Sequence, residues 1–437
     1  MFFLFAMISF VTNLAAPLGT IWKHHYEWAG MVGNFMNFLA YLVMGIPAGT
    51  LLTRIGYKNT TLWAMGVGLT GIILQWLSGQ VGADIQTFSV DGMPVMLNFL
   101  IYLLGAFICG FCVCMLNTAV NPLLNMLGGG GNSGNQLIQL GGSLNSAAGT
   151  VTPLLVGMLI GTVTKDTSIT DVSPLLYIAM AVFVFAFFVI LAVRIPEPPR
   201  AAKGSSKVKA THSAWNFRHT VLGVIGIFFY VGLEVGIPGV MIFYLSDSSV
   251  SGITENATAV AGAVASVYWL LMLVGRLSSS AISARVSSRT QLMCAAGGAI
   301  VLVVLAIFFS PEIKVSMPAY SVEDGFTLAK VPISALFLVL CGLFTSVMWG
   351  AIFNLAVEGL GKYTAQASGI FMMMVVGGGV MPLIQNAIAN SIGYMVSYWL
   401  VVGMLAYLLY YAVVGSRNVN RDIPVDADEE NQIPDAV

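Results

Sequence analysis

Charge is scarce in this chain. Asp, Glu, Lys and Arg supply 8% of its 437 residues, while 57% are hydrophobic. Soluble globular domains carry roughly a quarter charged residues, so an ordinary soluble domain is excluded. The basic residues form no clustered face, which argues against nucleic-acid binding. Cysteine is also sparse: Cys109, Cys112 and Cys114 share one apolar run, Cys294 and Cys341 lie in others, and no His or carboxylate stands near them. They read as small apolar helix residues, not as metal ligands or a disulfide framework. The glycine-rich turn from Gly128 to Gly134 lacks the Lys-Ser/Thr of a phosphate-binding loop. No apolar run carries a metal-ligand cluster or an activated nucleophile, so neither enzyme chemistry nor a cofactor nor a metal is expected. The short alternating segments of a membrane β-barrel are missing as well.

What the chain has instead is a series of apolar runs of about 18 to 28 residues, the length at which a helix crosses about 30 Å of hydrocarbon. Spans are expected at Met1–Thr20, Trp28–Thr53, Thr60–Ser78, Leu97–Met126, Gln136–Thr162 and Pro174–Val193, then at Thr220–Leu245, Thr258–Ala284, Thr290–Phe309, Pro332–Leu355, Thr364–Ala389 and Tyr394–Val414. The fold class is an all-α membrane protein of twelve helices. Residues 1–193 form one six-helix half and 220–415 the other, with a linker at 194–219 and an acidic tail at 416–437 expected to be disordered. Without a basic n-region, the first run reads as a retained helix and not a signal peptide. Lys and Arg gather on one side of this arrangement: Arg54 and Lys58, the linker, Arg276, Arg285 and Arg289, then Lys362, Arg417 and Arg421. By the positive-inside rule both termini and the linker are cytoplasmic.

The halves share landmarks at a nearly constant offset of about 230 residues. Arg54 to Lys58 recurs as Arg285 to Arg289, Asn125-Met-Leu-Gly128 as Glu358-Gly-Leu-Gly361, and Gly149-x-x-x-Pro153 as Gly378-x-x-x-Pro382. Such internal repetition is the sign of a duplicated transporter fold. Gly49-x-Leu-x-x-Arg54-x-Gly-Tyr-Lys58, in the turn after the second span, resembles the signature of the major facilitator superfamily. A narrower resemblance, to the fucose and glucose/galactose porters, lies in Asn117-Thr-Ala-Val-Asn121-Pro122, Ser143-Leu-Asn145-Ser146, Tyr230-Val-Gly-Leu-Glu234 and Ile352-Phe-Asn-Leu. It continues through Leu360-Gly, Thr364, Ser368 and Gly377-Gly-Gly379. The chain departs from that family where fucose permeases carry acids, at Asn13 and Asn117, and where they carry a basic residue and a Gln, at Leu137 and Gly142. The family's assignments of proton and sugar residues therefore do not transfer whole.

Glu234 is the one carboxylate deep within an apolar run. A charge there costs roughly 2.5 to 3.5 kcal/mol on insertion scales, so such a residue usually faces a wet cavity. A carboxyl able to gain and lose a proton suits a proton carrier; the plainer reading is a hydrogen bond to substrate or a neighbouring helix. Tyr230 lies one turn earlier on the same face. Asn117 and Asn121 share a face of the fourth span, and with Asn13, Gln139, Asn145, Asn354 and Gln385 they suggest a polar, uncharged cavity suited to sugar hydroxyls. Interhelical glue, worth about 0.6 kcal/mol per residue, is their plainer reading. Trp269 and Trp349 lie inside spans, where an indole can stack on a pyranose or simply pack. Arg54, Lys58, Arg276, Arg285 and Arg289 stand at helix ends, where they are expected to latch the halves in one conformation. The glycines at 141, 142, 149 and 377–379 allow close helix approach and bending.

The expected function is import of a neutral sugar by alternating access, with Glu234 carrying a coupled proton; sodium coupling, uncoupled facilitation and a non-translocating sugar receptor are the alternatives. The resemblance implies a multi-pass protein of the bacterial inner membrane, monomeric, with sugar, proton and lipid as its partners.

Overall fold

The computed structural model describes every residue except 1, 27–28, 30–31, 91, 130, 161–167, 196, 198–211, 255–256, 284, 322–324, 421 and 426–437. The described side chains further exclude 13–17, 19–20, 23–24, 149, 151–160, 258–259, 319–321 and 326. The helices are α1 (Phe2–His25), α2 (Val32–Leu77), α3 (Leu97–Leu127), α4 (Gly131–Ile160), α5 (Ser173–Ala192), α6 (Arg218–Ser246) and the single turn α7 (Ser248–Ser251). They continue as α8 (Ala257–Ile282), α9 (Ser288–Phe308), α10 (Ile333–Thr345), α11 (Met348–Val357), α12 (Thr364–Met373), α13 (Gly377–Ile392) and α14 (Tyr394–Tyr410). Together they make the twelve expected spans.

Several spans are built differently from the plain helices that hydropathy implies. The 46 residues of α2 would reach about 69 Å at 1.5 Å each, more than twice the hydrocarbon thickness, so α2 holds spans two and three. It folds back without a loop at Gly56, whose φ of 84° and ψ of 176° only glycine adopts readily. The basic turn is thus one residue wide. Span ten is broken between α10 and α11 at Ser346 and Val347, and span eleven between α12 and α13 by a 3-10 turn at Met374–Val376.

Two stretches expected as loops are antiparallel hairpins: β1 (Gln86–Val90) with β2 (Met93–Met96), and β3 (Lys314–Ser321) with β4 (Gly325–Pro332). In sequence each has an Asp-Gly pair between its strands, and Gly92 and Gly325 hold φ of 79° and 70°, as tight hairpin turns require. One follows span three and the other span nine, so the hairpins are a further copy of the duplication. At the foot of β3, the Lys314 ammonium donates to the last carbonyl of α7, Ser251 O, while Asp247 caps that turn by accepting from Ser249 N at 3.1 Å. The hydrogen bond that the Ser249 hydroxyl donates to its carboxylate holds Asp247 below the usual carboxylate range.

The chain clusters into two compact units. One comprises Met1–Leu123, Ala148–Ser213 and Tyr363–Val376; the other comprises Leu124–Ala147, Ala214–Lys362 and Gly377–Val437. Within the first, α12 lies against α2 so closely that a Cβ on Gly45 would stand 2.6 Å from the Met373 backbone. Leu52, Tyr57, Ala119 and Leu123 form a core there, with Ile195 and Ala365 against it. Within the second, a Cβ on Gly377 would stand 1.9 Å from Phe228 O, so α13 and α6 are in backbone contact. Each unit therefore includes a segment from the other sequence half: α12 in the first, and the opening turns of α4 in the second.

Candidate functional site

At the break in span ten the carbonyls of Ser346 and Val347 take further donors, Val347 O while it also accepts from Ala351 N at 3.3 Å. Side chains from neighbouring helices supply them. Gln139 on α4 donates through Nε2 to Val347 O at 2.8 Å, and Arg276 on α8 donates through Nε to Ser346 O at 3.2 Å. Arg276 is the centre of the arrangement. Its Nη1 donates to Gly142 O and to Ser146 Oγ, both on α4 and both at 2.8 Å, and its Nη2 meets Glu234 Oε1 on α6 at 3.0 Å. The side chains of Arg276 and Glu234 are 6% and 14% exposed, so Glu234 is the more accessible of the pair. Gly142 makes the approach possible, since a Cβ there would already press on Arg276 Cδ at 3.3 Å.

Aromatic residues and amides surround this pair. Tyr230 is fully buried one turn before Glu234, with Trp349 edge-on to it at 6.2 Å. Tyr268 shares a hydrogen bond of 2.9 Å with Thr345 at the end of α10 and stands edge-on to the half-buried Trp269 at 5.5 Å. Gln385 on α13 is fully buried against Gly236, and among the described residues neither of its amide atoms has a hydrogen-bond partner. Asn145 is half-buried on α4. Asn354 lies farther towards the basic side, donating to Ser288 Oγ at 2.8 Å. Gln139, Tyr230, Glu234, Arg276 and Trp349 are thus gathered about one helix break.

Other expected residues belong to the other unit. In the first unit Asn117 donates to the Tyr41 hydroxyl at 3.0 Å, and Asn121 donates back to Asn117 O at 2.9 Å, so both amides are engaged in helix contacts. The side chain of Asn13 lies outside the described residues.

The basic residues differ more from expectation. Arg276 is not at a helix end: it lies six residues inside the end of α8, on Glu234. Lys58 caps its own half, donating to Leu191 O and Val193 O at the end of α5, while Glu197 accepts from Tyr57 N and Lys58 N just past the break at Gly56. Arg289 donates to Ser416 Oγ, again within its own half, and Arg54 and Arg285 are exposed. Of the five, Arg276 is the one whose described hydrogen bonds join a second-half helix to a first-half one. Ser346, Val347 and Glu197 were not foreseen, the Pro-flanked acid at 197 being the one visible hint, whereas Gly142 was expected to allow close helix approach.

A family model described as Major Facilitator Superfamily matches residues 1–381. A glucose/galactose transporter of Brucella abortus is 30% identical over 425 residues, covering 96% of this chain and 93% of the relative. The L-fucose-proton symporter of Escherichia coli is 21% identical over 426 residues, covering 90% and 87%. Among solved structures, the E. coli fucose:proton symporter in the outward conformation superposes with a TM-score of 0.72 at 19% identity, covering 95% of this chain and 99% of that one.

Proposed function

Taking as premise that this chain belongs to the major facilitator superfamily, a family of membrane transporters and not of enzymes, we propose that it imports a neutral hexose-class sugar by alternating access, coupled to protons through Glu234. The observation that carries the substrate class is the near-full-length likeness to a glucose/galactose transporter. Coupling is supported by chemistry: Glu234 is an acid inside a span, partly open to solvent and paired with the one base near it. Tyr230 and Trp349 offer stacking surface beside it, and Gln385 and Gln139 offer amides for sugar hydroxyls. Both termini and the linker are assigned to the cytoplasm of a bacterial inner-membrane protein, from the distribution of Lys and Arg.

Uptake of labelled glucose, galactose, fucose and mannose into proteoliposomes tests this directly. The expected result is accumulation under an inward proton gradient, lost in Glu234→Gln while counterflow exchange persists. If no sugar moves, the substrate class is wrong. A second reading, an uncoupled facilitator, is favoured by the amides Asn13 and Asn117 where fucose permeases carry acids; it predicts equilibration that no gradient drives uphill.

A further inference from the structure

We propose that Arg276 is the positioning residue through which the charge on Glu234 decides whether the opening turns of α4 stay docked on α8. This deepens the reading of Glu234 as proton carrier and rests on it. One guanidinium holds three helices: Nη2 is fixed by Glu234 on α6, Nη1 ties Gly142 O and Ser146 Oγ on α4, and Nε holds Ser346 O. Because the guanidinium is planar, anchoring Nη2 on the carboxylate sets the plane in which Nη1 reaches α4.

The pair is electrostatically isolated. The ionisable groups facing Glu234 are Arg276 and Tyr268 from α8 and Tyr230 from α6 itself. The sequences of α4, α10, α11, α13 and α14 contain no acid or base, and α8 contains only Arg276. A proton taken up by Glu234 therefore leaves Arg276 with no anion at all. A buried cation without an anion turns to water, and the α4 tie is released with it. Among the described residues the opening turns of α4 keep neutral links only: Asn135 to Ser283 Oγ just past α8 and Ser280 Oγ to Gln136 O, both at 3.3 Å, and Gln139 Nε2 to Val347 O at 2.8 Å. Proton binding and the docking of α4 on α8 thus oppose each other, which is the linkage a proton-driven cycle needs.

Distance measurement between spin labels tests this in the full chain in nanodiscs. Labels go on Ser133→Cys at the start of α4 and Ala281→Cys near the end of α8, both exposed, in a Cys294→Ser background that leaves the four buried cysteines. The expected result is one short distance at mildly alkaline pH and a growing longer population at mildly acidic pH. Glu234→Gln and Arg276→Gln should show the longer population at both, and Arg276→Lys should recover part of the pH response. Ser146→Ala, which cuts one α4 tie and leaves the ion pair in place, should move the midpoint to higher pH, because a weaker dock needs fewer protons to open. A distance indifferent to pH, a Glu234→Gln chain as closed as the wild type, or an unmoved midpoint in Ser146→Ala would overturn the proposal. No sugar is needed for this readout. Correct distances without sugar accumulation would sink the transport reading alone, and proton-driven accumulation with indifferent distances would sink this one alone.

Discussion

Glu234 and Arg276 would each be costly alone inside a span, roughly 2.5 to 3.5 kcal/mol on insertion scales, and at 3.0 Å each removes most of the other's cost. Removing one partner leaves the other uncompensated, which in buried pairs costs about 3 to 5 kcal/mol. Arg276→Ala should therefore lower the melting temperature sharply, and Arg276→Ala combined with Glu234→Gln should lower it less; thermal unfolding in detergent of the two singles and the double measures this non-additivity. Gln385 makes the opposite case. Both its amide atoms are buried without partners among the described residues, a penalty of about 1 to 3 kcal/mol. Gln385→Met should raise the melting temperature of the sugar-free protein while weakening uptake through a higher apparent KM. If uptake is untouched, the amide does not meet sugar. At this scale Glu234 was legible, since an acid in an apolar run stands out at once. Arg276 was visible but misplaced, because counting basic residues by side treats any Arg near a span end as interfacial. Its burial depends on a partner 42 positions away.

Elements show where hydropathy stops informing. The spans themselves were readable from length and apolarity, and the Gly56 break from its glycine. The break at Ser346 and Val347 was not, because neither residue is a helix breaker and the interruption is stabilised by Gln139 and Arg276 from other helices. Both hairpins carried an Asp-Gly signal that was overlooked between two strong apolar runs. The contact of Gly377 with Phe228 O leaves no room for a side chain, so Gly377→Val should prevent α13 from seating on α6, measured as loss of folded protein by size-exclusion chromatography. The α7 turn has a pH signature of its own. The Ser249 hydroxyl, aided by backbone donors, lowers the Asp247 pKa in the folded state. Its contribution is therefore complete above the ordinary unfolded carboxylate value and is lost as pH falls through the lowered one. Amide exchange across 248–252 should accelerate on acidification in the wild type and stay flat in Asp247→Asn.

For the whole molecule, the division of the chain into contact units does not follow its order in sequence. The residues 363–376 complete the first unit, and 124–147 belong to the second. Neither membership could be read from the sequence, which shows only that the halves are copies. A consequence lies in biosynthesis. When translation has produced all the first six spans, the unit to which most of them belong still lacks α12, and the start of α4 has nothing to pack on. Ribosome-bound chains stalled before residue 363 should consequently be open to protease in α2, and those stalled before α8 in α4 as well, each becoming protected only when its late partner has entered the bilayer. Insertion and final packing are separate events in the life of this protein, and quality control has the whole of that interval in which to act.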